Sequence, residues 1–355
     1  MKNIYLQVLE KQPENSNLVL ATVTGTIGSA PQKPGSSALF GMSGLLAGTV
    51  GGGMLEGKVS EFAVRSCLSK ESGHLHFMLD KDISQKEEAI CGGEISVLAD
   101  ADPFIHLPVF REMEISLQNR HPGMLATVVT TDRMNRLNIA RIWITETFKP
   151  GMSDLLADRI AHEALDRIGT AKPGDFIQVE ISKPGESPSA IGFLEPVFPL
   201  PHLVIAGAGH IGKALSHLGS LLDFEVTVID DRSEYANAVN LPDADHIIAG
   251  DIGEAMENQE KTSGTYIVIV TRGHKDDANA LKPCIGSDAS YVGMIGSKTK
   301  VAKMQAEFIR QGWATPEQWS RICTPIGLDI NSRTVEEIAV SIAAQLVLVR
   351  NKSRT

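Results

Sequence analysis

The chain has 355 residues, 43% hydrophobic and 21% charged, which allows two domains with separate cores. A formal net charge of −10 withholds the basic footprint of a nucleic-acid surface. No apolar run approaches the roughly 18 residues of a membrane span. Cys67, Cys91, Cys284 and Cys323 stand far apart with no C-x-x-C pair, which fits neither a disulfide scaffold nor a zinc site and suits a reducing cytoplasm.

Residues 1–12 carry an amphipathic pattern without a signal-peptide core and predict a short helix. Leu18–Thr24, rich in β-branched residues, predicts a buried strand. It runs into a loop punctuated by Gly and Pro, Gly25 to Ser37, which carries Ser29, Lys33 and Ser36. Short strands are expected at 38–40 and 44–47. Gly51, Gly52 and Gly53, with Glu56 beside them, then open a helix over 55–70. Free backbone N–H groups at a helix start form an anion nest. The same glycines equally suit a tight turn that needs positive φ and holds no ligand.

His74 and His76 alternate near the strand expected at 75–79 and, lacking a third ligand, read as surface histidines. Cys91 is followed by Gly92 and Gly93, which leave its sulfur accessible and make it the candidate functional thiol. Strand 95–98, helix 106–119, strands 124–131 and 138–145, helix 152–168, and strands 175–181 and 190–194 continue an α+β pattern. Three prolines between Glu195 and Pro201 predict a stiff connector that cannot continue a ladder. The expected domains are therefore 1–195 and 202–355, joined by 196–201.

His202–Ala206 is a short apolar strand, followed by Gly207, Gly209 and Gly212 at G-x-G-x-x-G spacing within a strand–turn–helix pattern. A second strand, 225–229, ends in Asp230 and Asp231, where a carboxylate suits ribose hydroxyls better than a 2′-phosphate. Helices near 233–239, 252–258, 277–283, 298–311 and 334–349 alternate with strands 246–249, 266–270 and 290–293. The fold class is α/β: a C-terminal Rossmann-like parallel sheet preceded by an α+β domain.

Ligands of such sheets sit outside the carboxyl ends of the strands. There stand Gly207, Gly209, His210, Gly212, Asp230, Arg272, His274, Gly296 and Ser297, with Lys275 and Lys298 able to meet phosphate. NAD or another dinucleotide is the expected ligand class. His274 with Asp276 or Asp277 is the one acid/base pair in view, while His210 reads as a phosphate contact or helix cap. These residues alone leave open an NAD-dependent oxidoreductase, a nucleotide-sensing module or a binding protein without turnover. The apolar helix at 334–349 covers a sheet edge or joins a homodimer.

The ordered motifs Gly25-Thr-Ile-Gly28-Ser29-Ala-Pro31, Gly48-Thr-Val-Gly51-Gly52-Gly53-Met-Leu-Glu56, Cys91-Gly92-Gly93, Gly207–Gly212, Thr271–Asp277, Tyr291–Lys298, Pro325-Ile-Gly-Leu-Asp329 and Glu336–Ile342 span nearly the whole chain. In them the chain resembles the xanthine dehydrogenase accessory factor (XdhC/CoxI) family. The resemblance implies a maturation factor that binds molybdenum cofactor (molybdopterin), assists its sulfuration and inserts it into an apo molybdenum hydroxylase of the xanthine dehydrogenase type, with a cysteine desulfurase as a further partner. It implies Cys91 as the sulfur or metal contact, and Gly51, Gly52 and Gly53 as holders of an anion. Where the family's Ser-Ala-Pro is followed directly by a basic residue, this chain has Gln32, and Lys33 comes next.

Overall fold

The computed structural model describes residues 3–11, 17–79, 93–148, 155–181 and 190–352. The chain divides into two compact units, Met1–Pro199 and Leu200–Thr355. The first contains α1 (Ile4–Lys11), β1 (Val19–Ile27), β2 (Ser37–Gly41), β3 (Gly44–Gly48), α2 (Gly53–Ser69), β4 (Gly73–Met78), β5 (Glu94–Asp100), α3 (Leu107–Gln118), β6 (Gly123–Thr131), β7 (Leu137–Ile144), α4 (Leu155–Ile168), β8 (Ile177–Ile181) and β9 (Ala190–Val197). Its strands form two antiparallel sheets, ordered β3-β2-β1-β5-β4 and β7-β6-β9-β8.

The apolar run of β1 is buried on both faces, and its period of two sorts it between two cores. Val19, Ala21 and Val23 pack with Leu55, Val59 and Ala63 of α2. Leu18, just before the strand, and Leu20 join Tyr5 and Val8 of α1, Phe110 of α3, Leu125 of β6 and Trp143 of β7. Helix α4 covers the second sheet through Ile160, Ala161 and Ala164.

The expected proline connector begins two residues too early, because Pro196 lies inside β9, opposite Met124 of β6. The pairing of β8 with β9 reaches only Leu194, so the strand has an open side at Pro196, where a missing N–H costs no ladder bond to β8.

The second unit alternates β10 (His202–Ala206), α5 (His210–Leu221), β11 (Glu225–Asp230), β12 (His246–Ala249), α6 (Ile252–Glu257), β13 (Thr265–Ile269), α7 (His274–Leu281), β14 (Tyr291–Met294), α8 (Lys298–Arg310), α9 (Pro316–Ser320) and α10 (Val335–Lys352). Its five strands are all parallel, in the order β12-β11-β10-β13-β14. Residues of α6, α7 and α8 build one core, and those of α5 and α10 the other. Helix α10 thus lies on a sheet face, with Ala339, Ile342, Ala343 and Leu346 buried beside Leu215. Strand order reverses between β10 and β13, which opens the crevice where such sheets take ligands.

Three local expectations change. Residues 233–239 form turns instead of a helix, and Asn237 Nδ2 donates to the Ser233 and Glu234 carbonyls, an alternative to helical bonding. Helix α7 starts at His274, three residues early, with Asp276 and Asp277 in its first turn, where carboxylates complement the helix dipole. The short α9, closed by a Thr315–Gln318 capping box, is an added element. Among the described residues, no helix is long and apolar enough to cross a membrane.

Candidate functional site

In the Rossmann unit two of the three motif glycines are demanded by the protein's own packing. Gly207 has φ +115°, and a Cβ there would stand 2.5 Å from the Val270 carbonyl oxygen at the switch point. A Cβ on Gly212 would collide with the Gly207 carbonyl oxygen. Gly209 differs: it precedes α5 with nothing within 4 Å of its Cβ position, and no side chain caps the helix. His210 is exposed as the first residue of that helix. This open helix start is where a phosphate would approach.

Asp230 does not face outward to a ribose. It is 1% exposed; Oδ2 accepts from the Ala208 N–H at 2.7 Å and from Arg232 Nη2 at 2.9 Å, and Oδ1 accepts from Arg232 Nε at 2.8 Å. Burial raises its pKa, but these hydrogen bonds and the guanidinium outweigh burial and hold the carboxyl below its ordinary range. Asp230 therefore positions the glycine turn. The accessible carboxylate at this strand end is Asp231, which accepts from Arg272 Nη2 at 2.6 Å.

The proposed acid/base pair does not assemble. Asp277 is fully buried and accepts from Thr271 Oγ1 and Lys300 Nζ. Asp276 lies 3.7 Å from Arg272 Nε. His274 is exposed at the start of α7. Ser297 caps α8, accepting from the Lys300 N–H at 3.3 Å, and Gly296 precedes it. Charge pairs thus link the ends of β11 and β13 and tie α7 to α8, while the β10 turn is held by its Ala208 N–H on Asp230.

In the first unit, Gly51, Gly52 and Gly53 have φ of +141°, +67° and +54°. Gly51 packs against Pro31, whose Cγ would stand 2.8 Å from an added Cβ. Gly52 and Gly53 have nothing within 4 Å of theirs. Glu56 turns back on this loop, accepting from Thr49 Oγ1 at 2.7 Å and the Val50 N–H at 3.3 Å, so it shapes the turn. Ser29 is exposed, and its carbonyl oxygen lies 2.5 Å from the Cβ position of Gly93, which must be glycine to fit. Cys91 lies outside the described residues.

Beside this turn, residues 30–36 with Gly174, Asp175, Glu195 and Pro196 line a cleft of about 530 Å3. Glu195 accepts from the Tyr5 hydroxyl at 2.5 Å, and burial pushes its carboxyl up to about 7 despite that bond and the Arg141 charge. Deeper in the same unit, Asp100 pairs with Arg141, both nearly fully buried, and His106 Nε2 stands 3.4 Å away without closing a hydrogen bond. Burial acts to raise the Asp100 carboxyl, but Arg141 and His106 together hold it well below the usual carboxylate range.

Sequence reading missed this polar interior. One signal was present: Arg141 falls in phase with the inward-facing Ile139 and Trp143 of β7, so a cation was due to be buried.

His76 is an exposed surface side chain as expected, whereas His74 is partly buried. His74 Nε2 bonds Thr24 Oγ1 at 2.8 Å, with burial and then His76 lowering its pKa to about 4, and His76 Nδ1 bonds Ser96 Oγ at 2.8 Å. Cys67, Cys284 and Cys323 are free thiols; burial raises the pKa of each, that of Cys284 to about 12. No cluster of three His, Cys, Asp or Glu side chains suited to a metal occurs among the described residues.

Comparison with known proteins matches residues 203–346 to the XdhC Rossmann domain and residues 12–78 to the XdhC and CoxI family. A Bacillus subtilis strain 168 protein, named as a probable subunit of xanthine dehydrogenase, is 25% identical over 347 residues, covering 97% of this chain and 96% of that one. The uncharacterized protein YqeB of Escherichia coli K12 is 29% identical over 154 residues, 43% of this chain and 28% of YqeB, so the match spans little more than a quarter of that relative. A crystal structure described as a xanthine dehydrogenase from Bacillus halodurans is 22% identical and shares the fold, with a TM-score of 0.74 over 99% of this chain and 96% of that one.

Proposed function

The chain belongs to the XdhC and CoxI family, and on that premise we propose that it is an accessory protein of a xanthine dehydrogenase, one that carries molybdenum cofactor as cargo. In this reading it receives the cofactor, holds it during sulfuration and delivers it to the apoenzyme in the cytoplasm, with a cysteine desulfurase as sulfur source. The observation that carries the reading is the end-to-end likeness to a relative named for xanthine dehydrogenase, with family matches in both units.

The cargo's phosphate suits Gly52 and Gly53, whose positive φ and open Cβ positions sit at the start of the 17-residue α2. Cys91 is the proposed soft ligand for the metal–sulfur centre. The Rossmann crevice takes a nucleotide at the open Gly209 turn, with Asp231 and Arg272 at the ribose end. An NAD-dependent hydride transfer is the less supported alternative, because His274 lacks the carboxylate partner that the sequence offered it.

The test is a census of metal, pterin and nucleotide bound to the full-length protein, with and without added molybdenum cofactor, on wild type and Cys91→Ala. Molybdenum and pterin retained by wild type and lost from the variant are expected. Absence of both from wild type after cofactor is offered overturns the carrier reading. Oxidation of NADH by the purified protein with a small carbonyl substrate favours the dehydrogenase instead.

A further inference from the structure

We propose that the cleft of the N-terminal unit recognises a planar nitrogen heterocycle by the edge that places a ring N–H beside an exocyclic amine, with Glu195 accepting both. That edge belongs to 2-amino-4-oxo ring systems, pterins and guanines alike. The proposal rests on the cargo reading only for which of the two supplies the ring.

The cleft, about 530 Å3, falls in the size range of small-molecule sites. Pro31, Pro34 and Pro196 give it flat apolar walls, and exposed Lys33 supplies a positive charge at its rim. Pro31 also packs on Gly51, so the open glycine turn begins at the edge of the cleft. A ring on Glu195 could therefore carry its phosphate toward either Lys33 or Gly52 and Gly53.

Glu195 is poorly explained as a packing residue. It lines both the cleft and an inner chamber of about 10 Å3, the room needed by one water. The chamber is of mixed lining, with Thr22, Thr24, Thr127 and Arg141 set among leucine and phenylalanine side chains. Arg141 is 7% exposed, and its Nε has no hydrogen-bond partner among the described residues. The carboxyl itself is held by a neutral phenol, which leaves a buried charge under-compensated and accounts for its raised pKa. Two N–H donors from a ligand would supply the missing compensation. A carboxylate has about four lone-pair sites, of which Tyr5 uses one. The adenine edge sets an amine beside a ring-nitrogen acceptor, a pattern that an amide or a protonated carboxyl matches and an ionised carboxylate, the form of Glu195 above pH 7, does not. Tyr5 acts as a positioning residue, fixing the rotamer of Glu195 from α1.

The experiment titrates the protein with pterin, followed by its own fluorescence, at a pH above 7 where the Glu195 carboxyl is ionised, and competes it with GMP or AMP. Wild type, Glu195→Gln and Tyr5→Phe are compared, all near-isosteric so that folding is preserved. Pterin is expected to bind wild type and to bind Glu195→Gln at least tenfold more weakly, since one acceptor becomes a donor facing the ligand amine. Tyr5→Phe should fall between them, and AMP should not compete. GMP competing as well as pterin assigns the site to guanine nucleotides, and GMP failing to compete assigns it to pterins. Equal affinity in wild type and Glu195→Gln, competition by AMP, or no pterin or GMP binding overturns the proposal. Molybdenum retained by Glu195→Gln at the wild-type level with pterin affinity unchanged overturns the cleft and leaves the carrier reading standing. Absence of molybdenum from wild type with Glu195-dependent binding of GMP does the reverse.

Discussion

The two glycine turns look alike in sequence and are built for different reasons. At Gly207 and Gly212 the backbone of β10, the Val270 carbonyl and α5 leave no volume for a side chain. At Gly52 and Gly53 the volume is there, and glycine answers only to a positive φ. Buried charge shows a related difference. Asp230 and Asp277 of the second unit are each met by a cation, whereas Glu195 of the first is met by a phenol. The first kind of arrangement holds a crevice in shape, and the second leaves interactions for something else to complete.

The largest expected effect is from Gly212→Ala. A methyl group driven into the Gly207 carbonyl should cost roughly 4 kcal/mol or more, read as a lower melting temperature of the Rossmann unit. A loss under about 1 kcal/mol would break the packing side of the comparison.

Asp230→Asn comes next. It leaves Arg232 without its carboxylate and weakens the tie to the Ala208 N–H, an expected loss of roughly 2–3 kcal/mol in denaturant unfolding. Wild-type stability in this variant would show that the paired charge does not hold the turn.

The first unit should instead reveal itself by pH. The Glu195 carboxyl sits near 7 when folded against an ordinary value near 4.5, so the folded state keeps a proton that the unfolded chain releases. Its contribution favours folding at low pH and is lost as pH rises from about 4.5 to 7, an effect of roughly 1–3 kcal/mol. Asp100 acts with opposite sign: held low, it contributes stability above about 3.8 that is lost as pH falls. Stability profiles of wild type and Glu195→Gln should converge at low pH and separate above pH 5, with the variant the more stable. Parallel profiles would refute the account of Glu195.

Gly53→Ala should be the mildest. The alanine meets no neighbour but is strained at φ +54°, at a cost of about 1 kcal/mol. Phosphate affinity measured by equilibrium dialysis should drop further than stability does. Unchanged affinity would leave the turn without an anion role.

Much of the second unit was legible because its signals are local. The G-x-G-x-x-G spacing, the apolar strands and their alternation with helices place β10, α5 and β11 within a residue or two of where they stand. The start of α2 at Gly53 was legible in the same way. Legibility failed where a side chain competes with the backbone over a few residues, as Asn237 does, and where a proline stands in a strand that has lost one neighbour, as Pro196 does.

By itself the amino-acid sequence determined the class of each unit, the family, and the positions of the glycine turns, since these depend on spacing, φ preference and periodicity among near neighbours. Only the tertiary structure decided what the charged side chains do. Asp230 turns inward, Asp277 goes to Lys300 and leaves His274, and Glu195 meets a tyrosine 190 positions away. The balance of desolvation against compensation belongs to groups that folding alone brings together, and no local pattern records it.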